Sequence, residues 1–417
     1  MRLKDVGYLY GGLTGKSGDD FHEEDPDKVK PFIPFTNVFK NFKVDVSDVR
    51  YVAMEAGEVQ NRVRQGDVLF LMSSEDYDGI GKPAVISDEV PELYLNSFCR
   101  GLRITKRNIC PEFVNYYLNG HHCREQVRLE GRGFTRVNIK VDRIAGQELK
   151  LPLFLDQRRI VEYLDSRCAA IDRTVALLEQ KRAAYGRLKR ALINETVTRG
   201  LDKNTELVDS GVDWLKPGRK NRSVRRLKDC ATLNPNCDNA SIVGDVSFVP
   251  MEALRWGKID AQTIPIDLAK GKYTPFADGD LLVARVTPCF ERGNIAIASG
   301  LLQGVGFGSS EIFVLRVNEN AVSKYMFYLT LTARFQDGAC ATMCGVGGLK
   351  RISPEFMRTY ELDLPSAAEQ RRIADYLDRR CAAIDAAVEN VTRQIELYRK
   401  LKRSLIDEVV TGRRKVA

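Results

Sequence analysis

The first stretch whose residue types could do chemistry is residues 11–17, Gly-Gly-Leu-Thr-Gly-Lys-Ser. Glycines followed by lysine and serine are similar to a phosphate-binding loop, in which backbone N–H groups and the lysine hold a nucleotide. That loop requires a glycine at position 10, where this chain has Tyr10. We therefore favour a polar loop in which Thr14, Lys16 and Ser17 contact a DNA phosphate or a base edge, with an ordinary surface turn as the alternative.

The motifs of an enzyme are incomplete. An adenine methyltransferase needs an Asn/Asp-Pro-Pro-aromatic motif, and the nearest match, residues 234–237 (Asn-Pro-Asn-Cys), lacks the second proline and the aromatic ring. No Asp/Glu-x-Lys nuclease core stands out, and three histidines offer little acid–base chemistry. Ten scattered cysteines never form a Cys-x-x-Cys pair, so no zinc spacing is present. The sequence predicts no catalysis and no metal site.

Basic residues in predicted loops are better candidates for DNA contacts. Arginine can hold guanine with two hydrogen bonds, and lysine neutralises phosphate. The alternative is a solvated surface charge without a partner. The candidates are Arg132, Arg136, Arg285, Arg292, Lys350 and Arg351.

Composition is compatible with this hypothesis. The chain has 417 residues and a net charge of +8, and 44% of its residues are apolar, which predicts a globular protein with real cores that tolerates nucleic acid as a partner. No apolar run of about 18 residues is present, and the N-terminus lacks the apolar core of a signal peptide. We expect no membrane association and a cytoplasmic location.

The elements that must position these residues come from a duplication. Residues 157–172 recur at 370–385 with thirteen of sixteen positions identical and a constant offset of 213. A repeat of that length indicates duplication of one large unit rather than a solenoid of short modules. Cys168 and Cys381 are equivalent within it and are expected to be small apolar core residues.

A long helix follows each copy of this signature. Apolar residues recur at alternating steps of four and three, which predicts a heptad seam. Ser366 and Glu369 form a capping box before the second helix, and both helices are expected to end at a glycine, Gly200 and Gly412. Each spans about 40 residues, or about 60 Å. The seam residues expected to pack are Leu164, Ile171, Leu178, Tyr185 and Leu192 in the first helix, and Leu377, Ile384, Val391, Tyr398 and Leu405 in the second.

A mixed α/β segment precedes each helix, and we call these segments head one (residues 1–152) and head two (residues 223–365). They share landmarks: residues 2–5 and 226–229 are both Arg-Leu-Lys-Asp, and a basic glycine-rich loop occurs at 131–136 and at 345–351. Between the landmarks the heads differ. A duplicated frame that carries two divergent heads suggests one task performed on two targets.

Matching seams predict that the helices pack together. The first helix leaves head one and must reach head two after a short connector, so the second helix would return antiparallel to it. The expected fold class is α+β, with two mixed α/β domains separated by an intramolecular antiparallel coiled coil and related by a pseudo-twofold axis. The alternative is that each helix packs only on its own head.

The repeated Leu-Pro, Gln-Arg-Arg-Ile-x-x-Tyr-Leu-Asp and Ile-Asp residues, each followed by a heptad helix, resemble the specificity subunit of a type I restriction-modification system. Residues 208–215 and 12–16 are also similar to segments of that family. The resemblance covers the chain as target recognition domain 1 (1–152), a first conserved spacer helix (153–200), a linker (201–222), target recognition domain 2 (223–365) and a second conserved spacer helix (366–417). One departure is the abrupt start of head one, without the lead-in that precedes head two.

The resemblance implies a non-catalytic reader of a bipartite, asymmetric double-stranded DNA site. It implies assembly with two modification subunits, which methylate adenine with S-adenosylmethionine, and with restriction subunits, which use ATP and Mg²⁺ to translocate and cut DNA. No cofactor is expected on this chain. Two alternatives stay open: a coiled-coil scaffold that joins two protein partners through its heads, and an enzyme with its own nuclease or methyltransferase activity.

Overall fold

The computed structural model describes residues 1–21, 28–55, 57–90, 92–202, 207–208, 218–219, 223–237, 242–345 and 348–416. Most of the predicted linker 201–222, and most of the family-like segment 208–215, lie outside the described residues. The chain divides into two compact units. Unit one comprises Met1–Glu179 and Arg393–Ala417, and unit two comprises Gln180–Thr392. Each unit therefore contains one head and a part of each long helix.

Head one alternates short strands with short helices. Its strands are β1 (Gly7–Gly11), β2 (Val29–Ile33), β3 (Arg50–Ala53), β4 (Val68–Leu71), β5 (Ser73–Ser74), β6 (Pro83–Val85), β7 (Tyr94–Leu95), β8 (Cys99–Ile104) and β9 (Val137–Asn138). Its helices are α1 (Phe35–Lys40), α2 (Pro111–Asn119), α3 (His121–Glu130) and α4 (Val141–Ala145), and the long helix α5 (Phe154–Arg199) follows.

Head two follows two short connector strands, β10 (Leu207–Val208) and β11 (Gly218–Arg219). Its strands are β12 (Ser223–Arg226), β13 (Ala231–Leu233), β14 (Asp245–Val249), β15 (Leu254–Arg255), β16 (Lys258–Ile259), β17 (Gln262–Pro265), β18 (Thr274–Ala277), β19 (Leu281–Ala284), β20 (Ile295–Ile297), β21 (Val305–Gly308), β22 (Ile312–Val317) and β23 (Glu361–Leu364). Its helices are α6 (Leu227–Cys230), α7 (Ile266–Ala269), α8 (Ser323–Thr330), α9 (Ala333–Ala341) and α10 (Pro354–Thr359), followed by the long helix α11 (Ala367–Val410).

The two heads share the strand order of one four-stranded sheet. An antiparallel four-stranded sheet has the order β1-β8-β4-β6 in head one and β13-β22-β19-β20 in head two. The second sheet of each head contains one parallel pair, β2 with β7 and β14 with β21. Every residue of β4 and of β19 is buried, as expected for apolar runs in the middle of a packed sheet. The predicted mixed α/β character of both heads is confirmed.

A buried ion pair occupies the same place in both sheets. Asp67 is 1% exposed and accepts hydrogen bonds from Arg103 Nε at 3.0 Å and Nη2 at 2.7 Å. Asp280 and Arg316, each 213 positions later, repeat the arrangement at 2.8 and 2.7 Å. A buried carboxylate is costly unless it is paired and hydrogen-bonded, so loss of either arginine would destabilise the fold of its head.

Both long helices exceed the estimate of about 40 residues and lie within the predicted spacer segments 153–200 and 366–417. The 46 residues of α5 and the 44 of α11 correspond to about 69 and 66 Å at 1.5 Å per residue. The Ser366 hydroxyl accepts the Glu369 N–H at 3.3 Å, as the capping box predicts. The helices end before Gly200 and close to Gly412, which have φ of +72° and +76°. These left-handed glycines confirm the predicted ends.

Within unit one, α5 and α11 contact each other and run in opposite directions. Lys402 Nζ donates to Asp172 at 2.6 Å, and Arg399 Nη2 donates to Glu179 at 2.7 Å, so contacts move back along α11 as they move forward along α5. Within unit two, Lys189 Nζ donates to Asp385 at 2.7 Å. This pair is the repeat equivalent of Asp172 and Lys402 with the helices exchanged, because both offsets are 213. The antiparallel helix pair is confirmed.

The repeated signature also fixes each helix to its own head. Gln157 and Gln370 are 1% and 0% exposed. Gln157 Oε1 accepts the N–H of Cys110, the residue before α2, at 2.9 Å. Gln370 Oε1 accepts the N–H of Val322, the residue before α8, at 2.8 Å. Their amide nitrogens donate to the carbonyls of the prolines five residues earlier, at 2.9 and 2.8 Å. One side-chain amide thereby satisfies two backbone groups, an N–H at the start of a head helix and a carbonyl in the segment that enters the long helix.

The aspartate of the signature makes a second fixed contact. Asp165 accepts hydrogen bonds from Tyr116 Oη at 2.6 Å and from Lys43 Nζ at 2.8 Å. Asp378 accepts from Tyr328 Oη at 2.8 Å and from Lys324 Nζ at 2.6 Å. Leu164, Cys168, Leu377 and Cys381 are buried beside these groups, which confirms the two cysteines as core residues.

The far end of the other long helix completes each core. Leu405, Ile406, Val409 and Val410 of α11 belong to the buried cluster of head one, together with Phe113 and Tyr117. Ile193 and Val197 of α5 belong to the cluster of head two. Thus each helix packs on a head and also on the other helix, and the two alternatives of the sequence analysis occur together.

Helix prediction was too long in one place. The sequence pattern suggests one helix from Pro111 to Leu129, whereas the structure breaks it at Gly120 into α2 and α3. A Cβ at Gly120 would lie 3.4 Å from Val410, and the His122 N–H donates to Asp407 at 3.3 Å. The end of α11 thus determines where α3 begins. Among the described residues, no helix combines the length and the apolar character needed to cross a bilayer.

Candidate nucleic-acid interface

The basic glycine loop of head one is a tightly built turn. Arg132 and Asn138 exchange backbone hydrogen bonds of 3.0 and 2.9 Å across its base. Gly133 has a φ of +136°, and a Cβ there would lie 1.9 Å from the Arg136 carbonyl oxygen. Only glycine fits this position. The loop is therefore held at its base while its tip projects into solvent.

This loop presents aromatic surface together with cations. Phe134 at its tip is fully exposed, and the Arg136 guanidinium lies 4.8 Å from the ring centroid of Phe98, itself 44% exposed. Tyr77, 46% exposed, donates its hydroxyl to the Gly133 carbonyl at 3.2 Å. Exposed aromatic and arginine groups on a fixed turn can stack on bases and neutralise phosphates. None of these three aromatic residues was predicted as a DNA contact, although the position of Phe134 between two arginines is a signal for one.

Head two builds the corresponding loop in the same way. Cys344 and Arg351 exchange backbone hydrogen bonds of 3.1 and 2.9 Å, and Gly345 has a φ of +156°. A Cβ on Gly345 would lie 2.2 Å from the Leu349 carbonyl oxygen. Positions 346–347 lie outside the described residues. Lys350 is exposed and exchanges hydrogen bonds with Thr287, its N–H donating to Oγ1 at 3.0 Å. The predicted equivalence of the two glycine loops is confirmed.

The chemistry beside the two loops differs. Position 98 is Phe98 in head one, and 213 residues later head two has Glu311. Arg351 donates to Glu311 from Nε at 3.0 Å and from Nη2 at 2.7 Å. These hydrogen bonds lower the pKa of Glu311 and raise the pKa of Arg351. One head therefore offers an arginine on an aromatic ring, whereas the other holds its arginine on a carboxylate.

The other arginines predicted in head two lie near this loop or beyond it. Arg285 is half-buried, with its guanidinium 4.9 Å from the Phe313 ring, and its Nε has no hydrogen-bond partner in the described part of the chain. Its carbonyl accepts the Ile352 N–H at 2.8 Å, which brings Arg285 next to Arg351. Arg292 is exposed, and its N–H donates to the Pro288 carbonyl at 3.2 Å.

The loop after β1 holds its three predicted residues in a polar network. The Thr14 N–H donates to Gln60 Oε1 at 3.1 Å, and the Ser17 N–H donates to Asp20 at 2.6 Å. Lys16 Nζ donates to Glu58 at 2.6 Å, and its side chain is only 9% exposed. Hydrogen bonds from Lys16 and then Gln60 lower the pKa of Glu58 to about 2. A phosphate that reached Lys16 would have to displace this carboxylate.

The residues predicted to pack in the spacer differ in burial. Leu164, Leu377, Val391 and Leu405 are buried, and Ile171, Leu178, Tyr185, Leu192 and Ile384 are half-buried. Tyr398 is 36% exposed. Burial thus concentrates where a head covers the helix pair, together with Val391 and Ile395, which are 4% and 2% exposed.

Comparison with known proteins gives a consistent family. Residues 224–397 match the model of the type I restriction modification DNA specificity domain. The chain is 28% identical over 184 residues to the type I restriction enzyme EcoEI specificity subunit of Escherichia coli, an alignment that covers 43% of this chain and 31% of that protein. The chain thus spans about a third of the length of this relative. It is 22% identical over 396 residues to the EcoKI specificity subunit of Escherichia coli K12, covering 93% of this chain and 82% of that protein.

Solved structures share the fold. A chain from a study of complex assembly and conformational transition of the type I R-M system superimposes with a TM-score of 0.71 at 14% identity, covering 98% of this chain and 96% of that chain. The HsdS subunit of Thermoanaerobacter tengcongensis superimposes with a TM-score of 0.52 at 15% identity, covering 99% and 96%. At these identities the likeness shows the fold alone.

Proposed function

We infer from these similarities that this chain is a member of the family of type I restriction-modification specificity subunits. Members of this family recognise DNA and do not catalyse the reactions of the complex. The sequence supports this, because its methyltransferase and nuclease motifs are incomplete. We place this recognition in the cytoplasm, with double-stranded DNA as the ligand.

We further propose that the site is bipartite and asymmetric, with each head reading one half. The observation that carries this proposal is the pair of equivalent glycine loops with different chemistry. The loops share a bridged base and a positive-φ glycine, yet one lies beside Phe98 and the other beside Glu311. Two loops with the same backbone but different neighbouring side chains favour two different half-sequences. Side chains that contact base edges determine which bases are recognised, whereas contacts to the DNA backbone set the register.

The two long helices would set the gap between the half-sites. Half-sites one helical turn apart are separated by about 34–36 Å. Helices of 46 and 44 residues are long enough for such a spacing. Each helix is fixed to its own head, α5 through the Gln157 amide and α11 through the Gln370 amide.

The signature also supports two copies of one partner. Its buried residues have structural roles, but Arg158, Arg159, Ala169 and Ala170 are exposed and recur as exposed residues at 371, 372, 382 and 383. We propose that two modification subunits, which use S-adenosylmethionine, bind these equivalent surfaces, and that ATP- and Mg²⁺-dependent restriction subunits join them.

Replacement of Arg158 and Arg159 by alanine should leave one modification subunit per chain in a native mass measurement. Two retained copies would refute this surface.

A selection experiment tests the DNA-reading function. The full chain, assembled with its modification subunit, is offered random-sequence duplex DNA, and bound molecules are sequenced. We expect two conserved blocks separated by a constant gap, and binding that weakens steeply as salt rises because phosphate contacts release counterions. Selected DNA without a split motif, or binding insensitive to salt, would refute the function and favour a protein scaffold.

Variants make the experiment specific to each head. Arg136→Ala should relax one block only, and Lys350→Ala should weaken binding through the other head. Arg393→Ala, which removes an exposed cation from α11, is the matched control and should change neither. Equal effects of all three would indicate a nonspecific charge contribution.

A further inference from the structure

Unit one contains a cavity that the DNA-reading function does not use. It has a volume of about 690 Å³ and lies between head one and the end of α11. That volume is within the range of small-molecule sites, about 300–1,000 Å³. Its lining residues are Phe39, Phe42, Asp78, Lys82, Asn119, His121, Arg124, Glu125, Arg128, Lys402, Arg403 and Ile406.

The lining is strongly cationic. It has five lysine and arginine side chains and two carboxylates. Arg128 lies 2.8 Å from Glu125 and 3.2 Å from Asp78, so both carboxylates are already engaged by one arginine. Lys402 lines the cavity while its Nζ pairs with Asp172, which lies outside the lining. Because the Asp172 side chain is 57% exposed, this ion pair is weak and Lys402 can also attract an anion. The remaining three cations are Lys82, Arg124 and Arg403, for which the described residues provide no carboxylate within ion-pair distance.

Two of these cations are desolvated as well as unpaired. Lys82 Nζ donates to the Phe39 carbonyl, and Arg124 Nη2 donates to the carbonyls of Asp78 and Ile80 at 2.7 and 2.8 Å. Arg124 Nη1 is buried and has no hydrogen-bond partner among the described residues. Burial, and next the neighbouring Arg128, lowers the pKa of Arg124 to about 10. Burial, and then Arg124 and Lys402, also lowers the pKa of Lys82. A buried donor without an acceptor is unfavourable, and the charge of the guanidinium favours an anion in the neighbouring cavity.

One wall of the cavity is aromatic. Phe39 is 37% exposed and Phe42 is half-buried beside it in the lining. Lys82 Nζ lies 5.5 Å from the Phe39 ring centroid, so one face of the ring is next to this cation. The exposed part of the ring can contact a planar base while the cations hold phosphate. An inorganic anion alone would not contact this apolar wall.

Unit two treats the equivalent place differently. The repeat equivalent of Lys402 is Lys189, and its Nζ lies 4.8 Å from the Trp256 ring. Arg124 is followed 213 residues later by Asp337. The cationic cavity is therefore a property of unit one and not of the duplicated frame.

We propose that this cavity binds a phosphate-bearing ligand of nucleotide size, with the phosphates on Arg124, Lys82, Lys402 and Arg403 and the base against Phe39. Phosphate groups are also present on the DNA backbone. The volume of the cavity and its aromatic wall favour a free nucleoside diphosphate or triphosphate over a duplex.

Calorimetric titration of the full chain with pyrophosphate, ADP and adenosine tests this site. We expect ADP and pyrophosphate to bind competitively, more weakly as salt rises, and adenosine to bind much less. Arg124→Gln and Lys402→Met should each weaken ADP binding roughly 10- to 100-fold, the range for loss of a charged hydrogen bond. Lys402→Met keeps the test valid if Arg124→Gln does not fold.

The matched control is Lys189→Met, which removes the equivalent interhelical ion pair in unit two and should leave ADP binding unchanged. Absence of binding by both ADP and pyrophosphate would overturn the proposal, as would equal weakening by Lys189→Met and Lys402→Met. Duplex DNA is a separate arm. If it bound through Arg124 and Lys402 while ADP and pyrophosphate did not, the cavity would hold a backbone phosphate and the nucleotide assignment would be wrong.

Discussion

At the scale of single residues, the exposed aromatic ring at the tip of the head-one loop is the most informative group. Phe134 is fully exposed in a loop whose base is fixed by two backbone hydrogen bonds. A large apolar side chain gains nothing from such a position in the isolated chain, because its surface stays in contact with water. A ligand that covers it would supply that gain.

Phe134→Ala should therefore reduce DNA affinity without reducing stability. Loss of base stacking or of an apolar wedge costs about 1–3 kcal/mol per base. We expect a change in only one selected block and an unchanged melting temperature, measured by gel shift and by circular dichroism. Leu177→Ala is the control, since Leu177 is 65% exposed on α5 outside any loop. Unaltered affinity and selectivity in Phe134→Ala would exclude this ring from the interface.

The duplicated glutamines show how one side chain can join two elements. Gln157 and Gln370 each accept a backbone N–H and donate to a backbone carbonyl while nearly fully buried. Leucine would fill a similar volume and would leave the Cys110 or Val322 N–H without its acceptor. An unsatisfied buried group of this kind costs about 1–3 kcal/mol.

Gln157→Leu and Gln370→Leu should each destabilise one head by about that amount. Native-state hydrogen exchange is the measurement, because it locates the loss of protection. We expect faster exchange at the start of α2 in Gln157→Leu and at the start of α8 in Gln370→Leu. The exposed neighbours Arg158→Leu and Arg371→Leu serve as controls. Exchange that changes equally in both heads would contradict separate anchors.

At the scale of elements, the long helices combine a short-range and a long-range role. Their ion pairs, Asp172 with Lys402 and Asp385 with Lys189, have aspartates that are 57% and 59% exposed. Exposed pairs contribute only about 0–1 kcal/mol, so they fix alignment more than stability. Burial of Val391 and Ile395, and of the helix ends in the heads, contributes the larger part.

Adding one heptad to each helix, after Glu179 and after Thr392, should lengthen the gap in the recognised DNA. Seven residues add about 10.5 Å and keep the seam on the same face. That length corresponds to about three base pairs at 3.4 Å per base on a strand. DNA selection with the variant should return both half-sequences unchanged and further apart. An altered half-sequence with the original gap would contradict a spacer role.

A four-residue insertion in α5 alone is the counterpart of this experiment. It rotates the remaining seam by about 40° and shifts the two helices by about 6 Å relative to each other. We expect loss of stability and of the split motif. A variant as stable and as selective as the parent would show that the seam does not determine the arrangement.

At the scale of the whole molecule, neither head is a self-contained segment of sequence. Head one needs Leu405, Ile406, Val409 and Val410 from the far end of the chain, and head two needs Ile193 and Val197 from the first helix. Each long helix thus supplies core residues to the head that belongs to the other repeat.

Leu405→Ala should therefore destabilise head one, although residue 405 follows head two in the chain. Removal of a buried leucine side chain costs about 2–5 kcal/mol. Limited proteolysis should cut residues 1–150 faster and leave 223–365 as resistant as before. Leu401→Ala, a change at a 51% exposed position of the same helix, is the control. Faster cleavage in head two instead would refute the exchange.

Several features follow from the sequence because they depend on local periodicity. The repeat with its offset of 213 identifies two units, the heptad seams predict the long helices, and Gly200 and Gly412 predict their ends. The buried strands β4 and β19 follow from apolar runs between turn residues. Such patterns are recognisable because each involves residues close together in the chain.

Only the tertiary structure decided the contacts between distant residues. Four features join segments that are more than 40 residues apart in the chain. They are the helix break at Gly120, the ion pair of Lys16 with Glu58, the hydrogen bond from Gln157 Nε2 to Asn108, and the cationic cavity at the end of α11. The second hydrogen bond of Gln157 Nε2, to Pro152, is local. A single sequence does not show which charged residues form ion pairs, because these pairs depend on tertiary packing rather than on spacing along the chain. The sequence indicates two different heads on one duplicated helix frame, and the fold determines which side chains of each head are exposed.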